Sequence, residues 1–249
     1  SSATPVSLTR LTPFRSRGAH WGVSTRDGAE REARKLVAAI NGEAPMDLWV
    51  VDIRRFSQMH RDRDWVNERT LEAYGKHYTV GFPHEEYTSG RPRIVSPLYQ
   101  RLQAHNAVFG SKLGWERPNW FAPKGVEPKD KPSFAWPNWF EHVGNEHRAV
   151  RERVAIVDQS SFAKMELAGP GALPALQRLA VANVDRPSGS VIYTQMCNER
   201  GGIEADLTIC RLEQDRFYIV TGTAYGEHDF GWIKRHLPDD GSVFAFDAT

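Results

Sequence analysis

The residues best placed to do chemistry lie in Asn198-Glu-Arg-Gly-Gly-Ile-Glu-Ala-Asp-Leu207, a polar turn with two adjacent glycines running into an alternating strand. A period of two puts Ile203, Ala205, Leu207 and Ile209 on one face and Glu204, Asp206, Thr208 and Cys210 on the other. A one-residue slip would bury the acids and expose the aliphatics, so the hydrophobic pattern holds the register. Two carboxylates therefore stand on the polar side of a strand, after a Gly201-Gly202 turn where backbone can approach a ligand. Asp206 also has aromatic company in Tyr193 and Tyr218. A carboxylate set against aromatic rings can hydrogen-bond a flat, nitrogen-rich ligand and move a proton, a role worth roughly 10²–10⁴ in rate. Spacing alone leaves an alternative open, a hairpin with a solvated outer face.

The elements around this stretch come from periodicity and punctuation. Strands are predicted over 191–196, 203–211 and 217–220, joined by turns at 198–202 and 213–216. Upstream, strands are predicted at 154–157 and 163–167, and Gly169-Pro170-Gly171 opens a helix carrying Leu173, Leu176 and Leu179. Further helices are predicted over 29–40, 54–78, 139–151 and 225–237. Ser96-Pro97 reads as a helix start, with Leu98, Leu102, His105 and Phe109 on one side and Gly110 as the stop. Residues 46–53 read as a short strand, and 114–137 as a Trp/Pro-rich linker. The last residues, from Val243, begin to alternate as a strand, so the chain is expected to stop inside a domain. Paired strands with interspersed helices give an α+β fold built on antiparallel sheet, not a doubly wound one.

Composition narrows the function classes. The 249 residues are 40% hydrophobic and 25% charged, as in ordinary globular domains. A net charge of +1 offers no electrostatic case for nucleic acid or an anionic membrane, and no apolar run is long enough to span a bilayer. No Cys/His spacing suits zinc, so no metal site is expected. Cys197 and Cys210 flank the chemical stretch and could face each other across the hairpin, although two free thiols, buried as small hydrophobes, are the expectation. Neither a G-x-G-x-x-G nor a G-x-x-x-x-G-K-[ST] loop is present, and there is no G-x-S-x-G. His228 and Asp229 fall at a helix start, where a capping or first-turn role is expected. Residues 1–28, rich in Ser, Thr and Arg, have the composition of a disordered tail or a transit segment.

The stretch Tyr193-Thr-Gln-Met-Cys-Asn-Glu-Arg-Gly-Gly-Ile-Glu-Ala-Asp-Leu207 resembles the folate-site motif of the aminomethyltransferase (glycine-cleavage T-protein) superfamily. Met46-Asp-Leu-Trp-Val-Val-Asp-Ile-Arg-Arg-Phe56, Arg91-Pro-Arg-Ile-Val-Ser-Pro-Leu-Tyr99 and Phe140-Glu-His-Val-Gly-Asn-Glu-His147 narrow the resemblance to its flavoenzyme branch, the dimethylglycine and sarcosine dehydrogenases. It runs in unbroken order from about residue 30 to 249.

The resemblance implies a long enzyme in which FAD oxidises an N-methyl group and tetrahydrofolate captures the carbon as 5,10-methylene-tetrahydrofolate. On this reading residues 29–104 are the tail of the flavin-dependent module with a small central domain. Residues 105–249 are the first half of the folate-binding domain. The resemblance makes Asp206 the catalytic folate-site acid and places Tyr193, Gly201 and Gly202 with it in the cofactor pocket. Glu204-Ala205-Asp206 stands where the T-protein has Leu-Asp-Asp, so only the second acid is kept, and Asp206 is preferred over Glu204. FAD is not expected to bind this chain, because the Gly-rich flavin segment is missing from it. The compartment implied is the cytoplasm in a bacterium and the mitochondrial matrix in a eukaryote, with association through surfaces left exposed by truncation. A non-catalytic regulatory paralogue and a freestanding T-protein-type aminomethyltransferase are the alternatives.

Overall fold

The computed structural model describes Phe56 and residues 58–249. The helix expected over 29–40 and the strand over 46–53 lie outside these, as does the 1–28 segment. The chain divides into two compact units, residues 1–81 with 87–90 and residues 82–86 with 91–249.

In the first unit, a short 3₁₀ turn at Gln58–Arg61 leads into α1, Arg63–Lys76. Asp62 caps it, its carboxylate accepting from the Asp64 and Trp65 amides at 3.0 and 3.2 Å. None of its residues is buried, as the charged pattern predicts. Glu72 accepts from the amides of Thr88 and Ser89. Partial burial opposes its ionisation, yet those bonds and Lys76 bring the carboxyl down to about 2.

The second unit begins differently from expectation. Ser96 does not cap a long helix. Its hydroxyl donates to Asp158 at 2.5 Å, and the helix that follows, α2, is only Tyr99–Ala104. Asn106 turns the chain with a φ of 60°, and 107–121 forms a hairpin of β1 (Ala107–Lys112) and β2 (Trp115–Phe121). Its two-residue loop, Leu113-Gly114, has φ of 49° and 85°, the twist that a tight hairpin needs. Phe109 is thus in a strand, and the first third of the expected linker is β2. Trp120 is 1% exposed, donates to Asp130 at 2.6 Å and stacks on His142. Arg91 donates to this hairpin through Glu116, at 2.9 and 2.6 Å, and through the Phe109 carbonyl. α3 follows at Phe140–Glu152. The strand expected at 154–157 does not form. Val154 and Ile156 are each 92% exposed and pair with nothing, and β-propensity without a partner strand makes no strand.

The rest is one five-stranded antiparallel sheet in the order β4-β5-β6-β3-β7. Its strands are β3 (Ala163–Ala168), β4 (Val191–Cys197), β5 (Ile203–Glu213), β6 (Arg216–Thr221) and β7 (Phe244–Asp247). Two helices pack on one face, α4 (Ala172–Leu179) and α5 (Gly226–Arg235). Met165, Leu167, Met196, Leu207, Ile209, Phe217 and Ile219 meet Leu176 and Ile233 there. The Gly169-Pro170-Gly171 corner starts α4 where the chain crosses residue 242. Gly169 has a φ of 121°, and a Cβ on it would run into the Ser242 carbonyl oxygen. The opposite sheet face is open and carries Tyr193, Asp206, Thr208, Tyr218, Phe244 and Phe246. The fold is α+β with an antiparallel sheet, as the pattern implies.

Arg91→Met is expected to destabilise the second unit by about 3–5 kcal/mol, because it leaves the Glu116 carboxylate buried without its partner. Denaturant unfolding checks this. Adding Glu116→Leu should recover a large part of the loss.

Candidate functional site

The site is built by a defect in the sheet. Along most of their length β4 and β5 pair residue for residue, with Gln195 opposite Asp206 and Met196 opposite Ala205. The next pair is Cys197 with Ile203, so Glu204 is an extra residue, a β-bulge. This corrects one expectation. Ile203 does not share the core face of Ala205 and Leu207; paired with Cys197, it stands 68% exposed on the side of the acids.

The turn that feeds β5 is organised by Asn198. Its side-chain oxygen accepts from the Arg200 and Gly202 amides at 3.0 and 2.9 Å, and Gly201 supplies the left-handed residue, with a φ of 78°. Its amide nitrogen donates to Glu204 at 2.7 Å. The turn thus holds Glu204 as well as closing the hairpin.

A cleft of about 520 Å³ opens beside the bulge. Asp206, Glu204 and Thr208 line it from β5, Tyr193 from β4, and Val220 and Thr221 from β6. Phe162, Tyr225 and Asp229 complete it. Of the residues singled out in the sequence, Asp206 and Tyr193 meet at this cleft. Gly201 and Gly202 do not line it; their visible work is the shape of the turn. Tyr193 is diagonal to Asp206 across the β4–β5 ladder, a spacing long side chains bridge. The Asp206 carboxylate beside it pushes the Tyr193 phenol above its ordinary range. The phenol therefore stays neutral beside the carboxylate.

The cleft also has residues that sequence reasoning passed over. After β6 the chain turns at Gly222 and enters α5, whose first residue, Gly226, lies against the Ala163 side chain. That close packing brings the first turn of α5 to the sheet end where β5 begins. Asp229, 1% exposed, accepts from the Thr221 hydroxyl at 2.5 Å and meets His228 Nδ1 at 2.9 Å. The other ring nitrogen of His228 lies 3.6 Å from Glu204. Of the two roles expected, α5 has no side-chain cap bond, but Asp229 does lie in its first turn, and its bonds go on to the cleft. The sequence signal was present in Glu204 and His228-Asp229, but only the return of α5 onto the sheet joins them.

Cys197 and Cys210 are both free and sit at opposite ends of the β4–β5 hairpin, paired with Ile203 and Val191, so they do not face each other. Burial pushes the Cys210 thiol up, which keeps it protonated. Among the described residues no His/Cys/Asp/Glu group has the arrangement of a metal site, and no helix is long and apolar enough to cross a membrane.

Asp206→Asn removes the negative charge that disfavours the Tyr193 phenolate. An ultraviolet pH titration of the variant should show one tyrosine midpoint moved to lower pH. No change in any tyrosine would break the pairing.

Residues 98–249 match the model of the GCVT N-terminal domain, and residues 41–96 match that of the FAD dependent oxidoreductase central domain. The chain is 38% identical over 228 residues to the 4-methylaminobutanoate oxidase (formaldehyde-forming) of Paenarthrobacter nicotinovorans, covering 92% of this chain and 27% of that protein. It is 35% identical to human mitochondrial sarcosine dehydrogenase, over 82% of this chain and 26% of that one. It is also 33% identical to the mouse mitochondrial pyruvate dehydrogenase phosphatase regulatory subunit, over 84% and 24%. The chain thus spans about a quarter of the length of these relatives. In structure it is similar to the glycine cleavage system aminomethyltransferase T of Bartonella henselae, with a TM-score of 0.50 and 22% identity. That likeness covers 62% of this chain and 38% of that one, and shows a shared fold.

Proposed function

Because the chain belongs to the GCVT N-terminal domain family, with a FAD dependent oxidoreductase central domain before it, we propose that the Asp206 cleft binds tetrahydrofolate within an N-methyl amine dehydrogenase. The oxidation of a methylated glycine such as sarcosine or dimethylglycine belongs, in this reading, to the longer protein of which these residues form a part. The observation that carries the proposal is the Asp206–Tyr193 pair on the wall of a cleft with aromatic sides.

The residues present fit a reduced pterin. Asp206 and Glu204 are acceptors for ring N–H groups, while Phe162, Tyr193 and Tyr225 offer apolar surface to a flat ring. The cleft volume lies in the range of small-molecule sites. Tetrahydrofolate, when bound, supplies the nucleophilic nitrogens that take up the one-carbon unit. Asp206 would orient a ring N–H of the bound cofactor and would accept its proton when that nitrogen reacts. Tyr193 stands beside the carboxylate as a neutral phenol, and Val220 and Ile203 add apolar surface to the wall. FAD has no assigned contact in this proposal, and the purified chain is expected to show no visible flavin absorbance. A yellow protein would overturn that part.

The 33% identity to a phosphatase regulatory subunit supports a second reading, in which the fold serves as an interaction scaffold. Titration with tetrahydrofolate, read by tryptophan fluorescence, separates the two. Saturable binding is expected, weakened about 10–100-fold in Asp206→Asn, the loss of one hydrogen bond to a charged acceptor. Absence of binding in the parent chain would leave the scaffold reading.

A further inference from the structure

The cleft holds a second arm beside Asp206, built from Glu204, His228 and Asp229. Glu204 is an extra residue in its strand, held on one side by Asn198 Nδ2 at 2.7 Å and facing His228 Nε2 at 3.6 Å on the other. His228 is backed by Asp229, which is buried and locked by Thr221. At 3.6 Å the Glu204–His228 contact is too long for a good hydrogen bond, and it becomes an ion pair when the ring is protonated. A bulge that aims a carboxylate at an imidazole with a fixed carboxylate behind it is an arrangement with two charge states.

We propose that His228 is a positioning residue of the cleft, which when protonated clamps Glu204 beside Asp206 and when neutral releases it. Charged groups near the ring are Glu204 from β5, Asp229 on its own helix and the exposed Glu227 next to it. Thr221 of β6 and Asn198 of the turn are neutral. Protonation offsets one of the crowded negative charges and fixes Glu204 as an acceptor. Neutral His228 leaves Glu204 held by Asn198 alone. This inference rests on the folate reading for its ligand but not for its geometry.

Two measurements test it. Binding of tetrahydrofolate to the whole chain is titrated from about pH 5 to pH 8, where imidazole changes charge. The parent should bind about tenfold more weakly at the upper end, the worth of one charged contact. His228→Gln should give a flat profile, while Asp206→Asn should be weaker throughout with the slope kept. A slope that survives in His228→Gln overturns the proposal. Independently, the His228 imidazole is titrated by NMR in the parent and in Glu204→Gln, without ligand. The clamp requires its midpoint to move to lower pH in the variant, and an unmoved midpoint sinks it. If the chain binds no folate and the midpoint still moves, the clamp stands and the folate reading falls.

Discussion

The one-sided burial of β5 is the constraint on which the rest depends. Ala205, Leu207 and Ile209 are almost wholly buried against α4 and α5, so the strand cannot slip by one residue without expelling its core. Asp206 is thereby forced onto the open face. Its position follows from the aliphatic residues on either side of it, and its exposure leaves it free to meet a ligand.

Perfect pairing would set Glu204 and Asp206 on the open face by alternation alone. The bulge at Glu204 breaks the alternation once, at the end of the sheet where the loss of pairing disrupts little, and turns Ile203 to the side of the acids. One side chain, Asn198, both closes the Gly-Gly turn and holds Glu204. α5 then closes the site from the far end of β6, bringing a buried Asp229 with it. Burying a carboxylate is unfavourable unless it is bonded, and Thr221 and His228 meet that requirement. The cleft is therefore made of groups that hold each other in place before any ligand arrives.

Legibility varied with the range of the interactions. β3 to β6, α4 and α5 were readable because each buries a periodic stripe, and a stripe is a local pattern; α3 was readable from its amphipathic spacing although none of its residues is buried. The 107–121 hairpin was not, because its loop is Leu113-Gly114 instead of an Asn-Gly turn, and because Leu98, Leu102 and Phe109 mimic helical spacing. The 154–157 segment failed in the opposite sense. Its Val and Ile suit a strand, but no neighbour offers hydrogen bonds, and sheet is a property of pairs.

The amino-acid order by itself determined the faces of β5, the α+β class and the choice of Asp206 with Tyr193 as partners to watch. These follow from period-two alternation and from residue chemistry along a single stretch. Only the tertiary structure decided that Ile203 crosses to the cleft side and that His228 and Asp229 belong to the site. Each of those depends on the pairing of one strand with another or on where a helix lands after a turn. Such contacts join residues distant in the chain, and no local pattern encodes them.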